Sequence, residues 1–404
     1  MKFLRRARGF STSRFKTYTM TRFPELTKFL ELLDLPLIAT YQTHAMISTA
    51  IARHSIFAID HALRTHPDAQ FVIVLEEDVQ SKLSLILSFL NKTASLLLED
   101  PSLYCVSAHN DISYPQTSYD PRAVLRTESY PNYGWMQYPA LFVFKSSFAS
   151  QVKRSFAEEM VSSLYSIDVE FDWDVVTYYY LRRGRECIIP EVGAELYRYV
   201  DIKGIWVSRS FHFAHDGSHI TQVSVRRYFS NKNLNEDPQA FVEGVDQLYK
   251  DKYEATLVSM LKRAKFLLLP EETPCQRDFF RKISVRENDV LVLFFKLDED
   301  IKGFRNNVVW ETLAHCLNIF GIESREGHQG LYRLRYGPAH FLLVAHPASP
   351  YSSYKPAEVS VFSASPEEVL FARNATAIHE EPNPLPYDMH HFLETDIPLN
   401  RNKT

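Results

Sequence analysis

Residues Glu76, Glu77 and Asp78 are three consecutive carboxylates directly behind the apolar run Phe71-Val72-Ile73-Val74-Leu75. Adjacent negative charges repel one another, so the pattern alone admits three readings. One is a solvated turn in which Asp78 caps a following helix. Another is a general acid–base site whose carboxylates have pKa values pushed apart. The third is a hard divalent cation, which takes oxygen ligands, neutralises the repulsion and shares its shell with a substrate's phosphates. A second group of reactive residues lies in FDWDVVTYYYLRRGRECIIPE, residues 171–191. Asp172 and Asp174 flank Trp173 there, and Arg182, Arg183 and Arg185 follow further along. This spacing admits a general base beside aromatics that wall a sugar site. It equally admits arginines that merely pair with nearby acids on a solvated helix face.

The elements that position these groups follow from hydrophobic periodicity. Residues 24–65 read as mainly helical with an extended interruption near Pro36, and the second helix ends before Pro67. FVIVL (71–75) reads as a short strand buried on both faces, followed by an amphipathic helix through SLILSFLNKTASLLLED that Pro101 stops. SLYCVSA (102–108) is a second strand with a polar end, His109-Asn110-Asp111, and ALFVFKSS (140–147) and ECIIPE (186–191) are further candidates. Strand, helix and strand with short connections imply an α/β fold with a largely parallel sheet, in which ligands sit beyond the carboxyl ends of the strands. Residues 201–225 read as a loop or linker. A second unit carries helices near 239–268 and 307–320 and strands at 289–297 and 341–347. After Pro356 the composition predicts a poorly ordered tail.

The chain has 404 residues, room for two domains of ordinary size. Its net charge of −4 argues against a general nucleic-acid binder. No apolar run approaches the roughly 18–20 residues that span a bilayer. Cys105, Cys187, Cys275 and Cys316 are spaced too widely for a CxxC zinc site and permit two disulfides, with the pairing left open. Asn91-Lys92-Thr93 and Asn374-Ala375-Thr376 are sequons compatible with a secretory protein. The first 22 residues carry seven Lys or Arg and no acid, the composition of a mitochondrial presequence or of a disordered basic arm.

The blocks FVIVLEEDV, DPSLYCVSAHND, YPNYGW, FDWD, RRGRECIIPE, GLYRLRYGPAHFLLV and HPASPYS, in this order, resemble the β-1,2-N-acetylglucosaminyltransferases that act on mannose, over about residues 35–356. RRGRECIIP, PASPYS and the placement of Cys275 and Cys316 are closer to the O-mannose branch of that family; IARH (51–54) is closer to the N-acetylglucosaminyltransferase I branch. The resemblance implies a GT-A-type, Rossmann-like, mostly parallel sheet flanked by helices, with a second, smaller α+β domain. It implies a UDP-GlcNAc donor, Mn²⁺, a mannose-bearing glycoprotein acceptor and inversion at the anomeric carbon. Residue by residue, Asp78 would ligate the metal, Glu77 would contact the donor sugar or ribose, and Glu76 would complete the acidic motif. Asp174 would be the general base, with Asp172 as neighbour or orienter. His54 would lie near the uracil, Trp135 in the substrate cleft, Trp206 or Ser208 on the donor-closing loop, and Arg185 in a supporting place. The bland alternatives are a helix-face histidine and a core tryptophan. Cys105 would pair with Cys187, and Cys275 with Cys316, which implies an oxidising, secretory compartment.

The expected organisation is a basic disordered segment (1–23), a catalytic domain (24–200), a donor-closing linker (201–225), an α+β domain (226–356) and a flexible tail (357–404). Departures from the family pattern are specific. The first strand, and the Arg and Asp that hold the nucleotide, are not found, and SAHND carries His109 where the family has a tryptophan. Family members are Golgi type II membrane proteins, so the expected compartment is the Golgi lumen, with the membrane met only through an anchor absent from this sequence. That expectation sets the mitochondrial reading aside. The functions in contention are transfer to an O-mannosyl glycan, transfer to the N-glycan core mannose, and glycan or partner binding by an inactive homologue.

Overall fold

A computed structural model describes residues 17–19, 37–39, 47–75, 80–81, 83–128, 149–165, 177, 181–193, 195–196, 235, 242–268, 274–275, 279, 283–297, 307–319 and 327–370. The first half comprises β1 (Thr17–Thr19), β2 (Leu37–Ala39), α1 (Ile47–Thr65), β3 (Phe71–Leu75), β4 (Gln80–Ser81), α2 (Leu83–Glu99), β5 (Leu103–Ser107), β6 (Val124–Thr127), β7 (Ala149–Lys153), α3 (Arg154–Tyr165), β8 (Glu186–Pro190) and β9 (Glu195–Leu196). The second half comprises α4 (Lys250–Lys262), β10 (Lys265–Phe266), β11 (Val290–Leu297), α5 (Val308–Cys316), β12 (Gly327–His328), β13 (Leu331–Tyr336) and β14 (Ala339–Pro347).

The first large sheet has strand order β3-β7-β5-β8-β6. β5 and β8 pair in parallel, while β3–β7, β5–β7 and β6–β8 are antiparallel ladders. The expected mostly parallel sheet is therefore mixed among the described residues. β7 inserts between β3 and β5 against their direction, which periodicity does not reveal. Even so, β3, β5 and β8 point the same way, so their carboxyl ends share one edge. Among the described residues β3 is an outer strand of this sheet, and Ile73 is 38% exposed, where burial on both faces was expected. α2 starts at Leu83, with β4 between it and Asp78, so Asp78 does not cap that helix.

Each face of the sheet has its own cover. On α1, Ile56, Ile59 and Leu63 recur at helical spacing and pack with Phe156, Ala157 and Met160 of α3 against Tyr104, Cys105 and Val152. Cys105 and Cys187 are register partners on β5 and β8 and form a buried disulfide. Cys275 pairs with Cys316. Both pairings implied by the family resemblance are present.

On the opposite face, Leu103 and Val106 of β5 and Ile188 of β8 share one apolar cluster with Phe89, Leu90 and Leu97 of α2. That cluster continues through Tyr253, Leu257 and Leu261 of α4 to Val290, Val292, Leu342 and Val344 of the second sheet. The second sheet has order β10-β11-β14-β13-β12. Along β11, Val290, Val292 and Phe294 face this shared core, while Leu291, Leu293, Phe295 and Leu297 face Trp310 and Leu313 of α5. Period-two alternation with apolar residues on both sides marks a central strand covered twice.

Gly337, at φ +55, opens the two-residue link from β13 to β14, and the Gly-Pro pair there is the local turn signal for that hairpin. The stretch after Pro356, expected as a tail, packs at two residues and is mostly exposed or half-buried up to residue 370. Phe362 bridges to Phe295 and is buried, as is Val359. The sequon at Asn91 lies inside α2, where Thr93 is fully buried and its hydroxyl donates to the carbonyls of Phe89 and Leu90 at 2.9 and 3.2 Å. A glycosylation acceptor belongs on a surface loop, so this triplet is a helix segment with no bearing on secretion.

Candidate functional site

The carboxyl edge of the first sheet gathers the segments that leave β3, β5 and β8. Behind β5 the chain turns through His109, Asn110 and Asp111, all buried. His109 Nε2 lies 2.9 Å from Asp111 Oδ1, so the histidine standing in a tryptophan's place has a polar partner inside the fold. Asn110 is the tie to β8: its Nδ2 donates to the carbonyls of Pro190 and Glu191 at 2.9 and 3.0 Å, and its Oδ1 accepts from Ile112 N–H at 2.9 Å.

Glu191, immediately after β8, is 4% exposed. Its Oε1 accepts the N–H groups of Tyr119 and Asp120 at 2.9 and 2.8 Å. Its charge is met by Arg335 of β13, whose Nε lies 3.0 and 2.9 Å from the two carboxylate oxygens. Arg335 N–H also donates to the Thr117 carbonyl at 2.9 Å. Ile112 and Tyr114 insert into the core of the second sheet. The loop from 108 to 123 is thus fastened to both sheets. A loop normally carries mobile backbone at the surface; this one is held by hydrogen bonds to buried partners such as Glu191.

β4 and β9 tie the chain beyond β3 to the chain beyond β8. Gln80 is in register with Leu196 and Ser81 with Glu195. The residues just after Asp78 are therefore laddered to residues just after Glu191. Only four residues, 76–79, lie between the end of β3 and the start of β4.

Of the side chains picked out in the sequence, His54 is half-buried on α1. Arg185 donates from Nη2 to Glu159 Oε2 at 2.8 Å and to the Leu181 carbonyl, and it lies over the Phe156 ring at 4.6 Å. Arg183 reaches the same glutamate at 3.4 Å. These arginines show the acid pairing that was the alternative to a substrate role. Glu76, Glu77, Asp78, Trp135, Asp172, Asp174, Trp206 and Ser208 lie outside the described residues. Among the described residues no group of three His, Cys, Asp or Glu gathers to hold a metal, and no helix is long and apolar enough to cross a membrane.

Sequence reasoning missed Glu191, Arg335 and Arg126. Glu191 ends the strand motif ECIIPE, where a carboxylate at a carboxyl edge was available as a signal. Arg335 alternates with Arg333 along LYRLRY, the period of a strand with one polar-bearing face.

Arg335 also sets a pH response. Its Nη1 lies 3.4 Å from His340 Nε2, its cross-strand neighbour. Burial, reinforced by the charges of Arg335, Arg333 and Arg263, lowers the His340 pKa from 6.5 to about 3. The folded protein therefore holds His340 neutral where the unfolded chain protonates it. This contribution to stability is complete above pH 6.5 and is lost as pH falls from 6.5 toward 3. Urea unfolding should show stability declining already below pH 6.5, and His340→Gln should flatten the decline between pH 6.5 and 4.5. An unchanged slope in the variant would assign the decline to other groups.

Comparison with known proteins comes back to the same family as the motifs. Residues 15–143 match the model of the GNT-I family. The matched segment takes in β1 to β6, the acidic triplet and Trp135, begins earlier than the motif resemblance, and stops ahead of Asp174. An Arabidopsis thaliana protein named alpha-1,3-mannosyl-glycoprotein 2-beta-N-acetylglucosaminyltransferase is 33% identical over 86 residues, which are 21% of this chain and 19% of that protein. The chain thus spans about a fifth of the length of the curated relative it matches.

Proposed function

From the similarity of residues 15–143 to the GNT-I family, we propose that the chain is a β-1,2-N-acetylglucosaminyltransferase that moves GlcNAc from UDP-GlcNAc to a mannose of a glycoprotein, with inversion. The observation that carries this reading is the match of residues 15–143 to that family: Glu76-Glu77-Asp78 falls inside it and follows β3 directly in the sequence.

An all-carboxylate donor set suits a hard divalent cation, and Asp78 is proposed to hold Mn²⁺ there. Bound at that lip, the ion would offset the charge of the diphosphate and of the departing UDP. Glu77 contacts the donor sugar or ribose, with Glu76 beside it, and His54 faces the uracil. Trp206 or Ser208 closes over the donor, and Trp135 lines the cleft. Asp174, oriented by Asp172, takes the proton from the mannose 2-hydroxyl, and the freed oxygen attacks the donor C1 opposite UDP.

Two acceptors each have an observation in their favour. The name of the plant relative favours the α-1,3-linked mannose of an N-glycan. The Cys275–Cys316 pairing, with RRGRECIIP and PASPYS, favours an O-mannosyl glycan. The proposed compartment is the Golgi lumen, where the two disulfides persist. Purified protein with UDP-GlcNAc and Mn²⁺ should transfer GlcNAc to a mannosyl-threonine peptide or to an oligomannose N-glycan, and the relative rates rank the two. Transfer to neither, with no metal-dependent UDP binding by calorimetry, would overturn the enzyme reading in favour of a glycan-binding homologue.

A further inference from the structure

Arg126 and Arg335 are buried against acids, the first between Asp100 and Glu186, the second on Glu191. Arg333, two residues before Arg335 on the same face of β13, has no such partner. It is half-buried, and among the described residues it pairs with no carboxylate. Its Nε is buried without a hydrogen-bond acceptor, and its guanidinium lies over the Tyr253 ring of α4 at 5.5 Å. A ring face attracts a cation but leaves its charge uncompensated.

His340 of β14 brings a second such arginine to the same place. It is the register partner of Arg335 and shares the face that carries Arg333. Its backbone N–H donates to the Asp289 carbonyl at 2.8 Å, and the carbonyl of the preceding Asn288 accepts from Arg263 Nη1 at 2.8 Å. Arg263 stands at the end of α4 and has no carboxylate partner among the described residues. Burial, then the charges of Arg335, Arg333 and Arg263, hold the His340 imidazole neutral, so all three guanidiniums act on one ring. The local acids are already engaged. Glu191 offsets Arg335, Asp289 has Lys265 at 2.8 Å and the charge of Arg286, and Glu254 accepts from Gln329 Nε2 at 2.6 Å. The charges of Arg333 and Arg263 are left over around His340.

The imidazole also supplies a donor. Arginine only donates, so His340 Nε2, 3.4 Å from Arg335 Nη1, accepts, and the ring proton sits on Nδ1. Among the described residues nothing accepts from that Nδ1–H. Two uncompensated guanidiniums and a neutral N–H suit a tetrahedral dianion, whose double charge matches theirs and whose oxygens accept several N–H groups at once. A single carboxylate would leave one positive charge over. We propose that Arg333, Arg263 and His340, where β13 and β14 meet the end of α4, form a binding site for one phosphoryl dianion. The site belongs to the second sheet and stands apart from the proposed transfer reaction.

The test is thermal melting in inorganic phosphate against sodium chloride of equal ionic strength, which separates binding from screening. The wild type should show a saturable rise in melting temperature with phosphate. Arg333→Gln should weaken phosphate binding about tenfold, and so should Arg263→Gln, which changes an exposed side chain and keeps the test free of folding effects. In chloride alone Arg333→Gln should melt no lower than the wild type, because it removes a repelled charge and breaks no ion pair. Metal-dependent UDP binding should be the same in both variants as in the wild type, so the site and the transferase reading stand or fall separately. Phenyl phosphate that binds like inorganic phosphate would make the ligand the phosphoryl end of a larger molecule, and its exclusion would make it the free ion; both uphold the site. No rise beyond that in chloride, or a rise equal in the wild type and both variants, overturns it.

Discussion

Arg126→Leu is expected to destabilise the protein by about 3–5 kcal/mol in urea unfolding at pH 7, the scale on which breaking a buried ion pair from one side acts. Arg126 sits on β6 with its side chain fully buried. Its Nε donates to Glu186 Oε2 at 2.7 Å, Nη1 to Asp100 Oδ2 at 2.8 Å and to the Leu248 carbonyl at 2.7 Å, and Nη2 to Ser102 Oγ at 2.6 Å. One guanidinium therefore joins the end of α2, the start of β8 and the segment entering α4. Glu186 carries the connection to the second sheet through its hydrogen bond with His328 of β12.

Burial alone would raise the pKa of both carboxylates, but each is held below its ordinary value. For Glu186 the hydrogen bond and charge of His328, then Arg126, outweigh burial; for Asp100, Ser102 and Arg126 do. Both contribute stability that is present above their unfolded values, 4.5 and 3.8, and is lost as pH falls through the lower folded ones. Leucine would leave the buried carboxylates of Asp100 and Glu186 without the cation they share, Glu186 keeping only His328. The variant should therefore lose most of its stability at neutral pH and respond less to acid below pH 4.5. A loss under about 1 kcal/mol would show that the network is relieved by water or by rearrangement.

The same residue shows where a sequence stops being legible. FVIVL, LYCVS and ECIIP read as strands because a short apolar run between turn signals has few other fates, and all three are strands. VLRT and LYRLRY did not read as strands, because each carries arginine in a position that folds inward. Their burial depends on Glu186, Asp100 and Glu191, partners tens to more than a hundred residues away, and no local period encodes such a pairing. The insertion of β7 between β3 and β5 is likewise a long-range choice, so parallel order was inferred where a mixed sheet forms. At the candidate site, residue chemistry drew attention to the acidic triplet and to the polar end of β5. The carboxylate that organises the edge, Glu191, stood at the end of a recognised motif, and its place at a carboxyl edge was the one local signal for it. Its role comes from accepting two backbone N–H groups and an arginine from the other sheet.

Asp78→Ala should abolish Mn²⁺-dependent UDP binding, and Asp174→Asn should keep that binding while lowering transfer about 10²–10⁴-fold. The two effects separate because the proposed roles do. A metal ligand acts on the ground-state complex: without its oxygen the ion, and the diphosphate held by it, is lost, and calorimetry reports this before any chemistry. Asp78 belongs to the four-residue link between β3 and β4, and beyond it Gln80 is laddered to Leu196. A general base acts only when the mannose hydroxyl surrenders its proton. Asparagine preserves the size and polarity of Asp174 but cannot accept that proton, so kcat falls while UDP and metal still bind. If Asp78→Ala retained metal-dependent UDP binding, the cation would have to be held by other oxygens and the triplet would return to a solvated turn. If Asp174→Asn lost binding together with transfer, that residue would belong to the donor pocket, and the base would have to be sought among the other groups facing the acceptor.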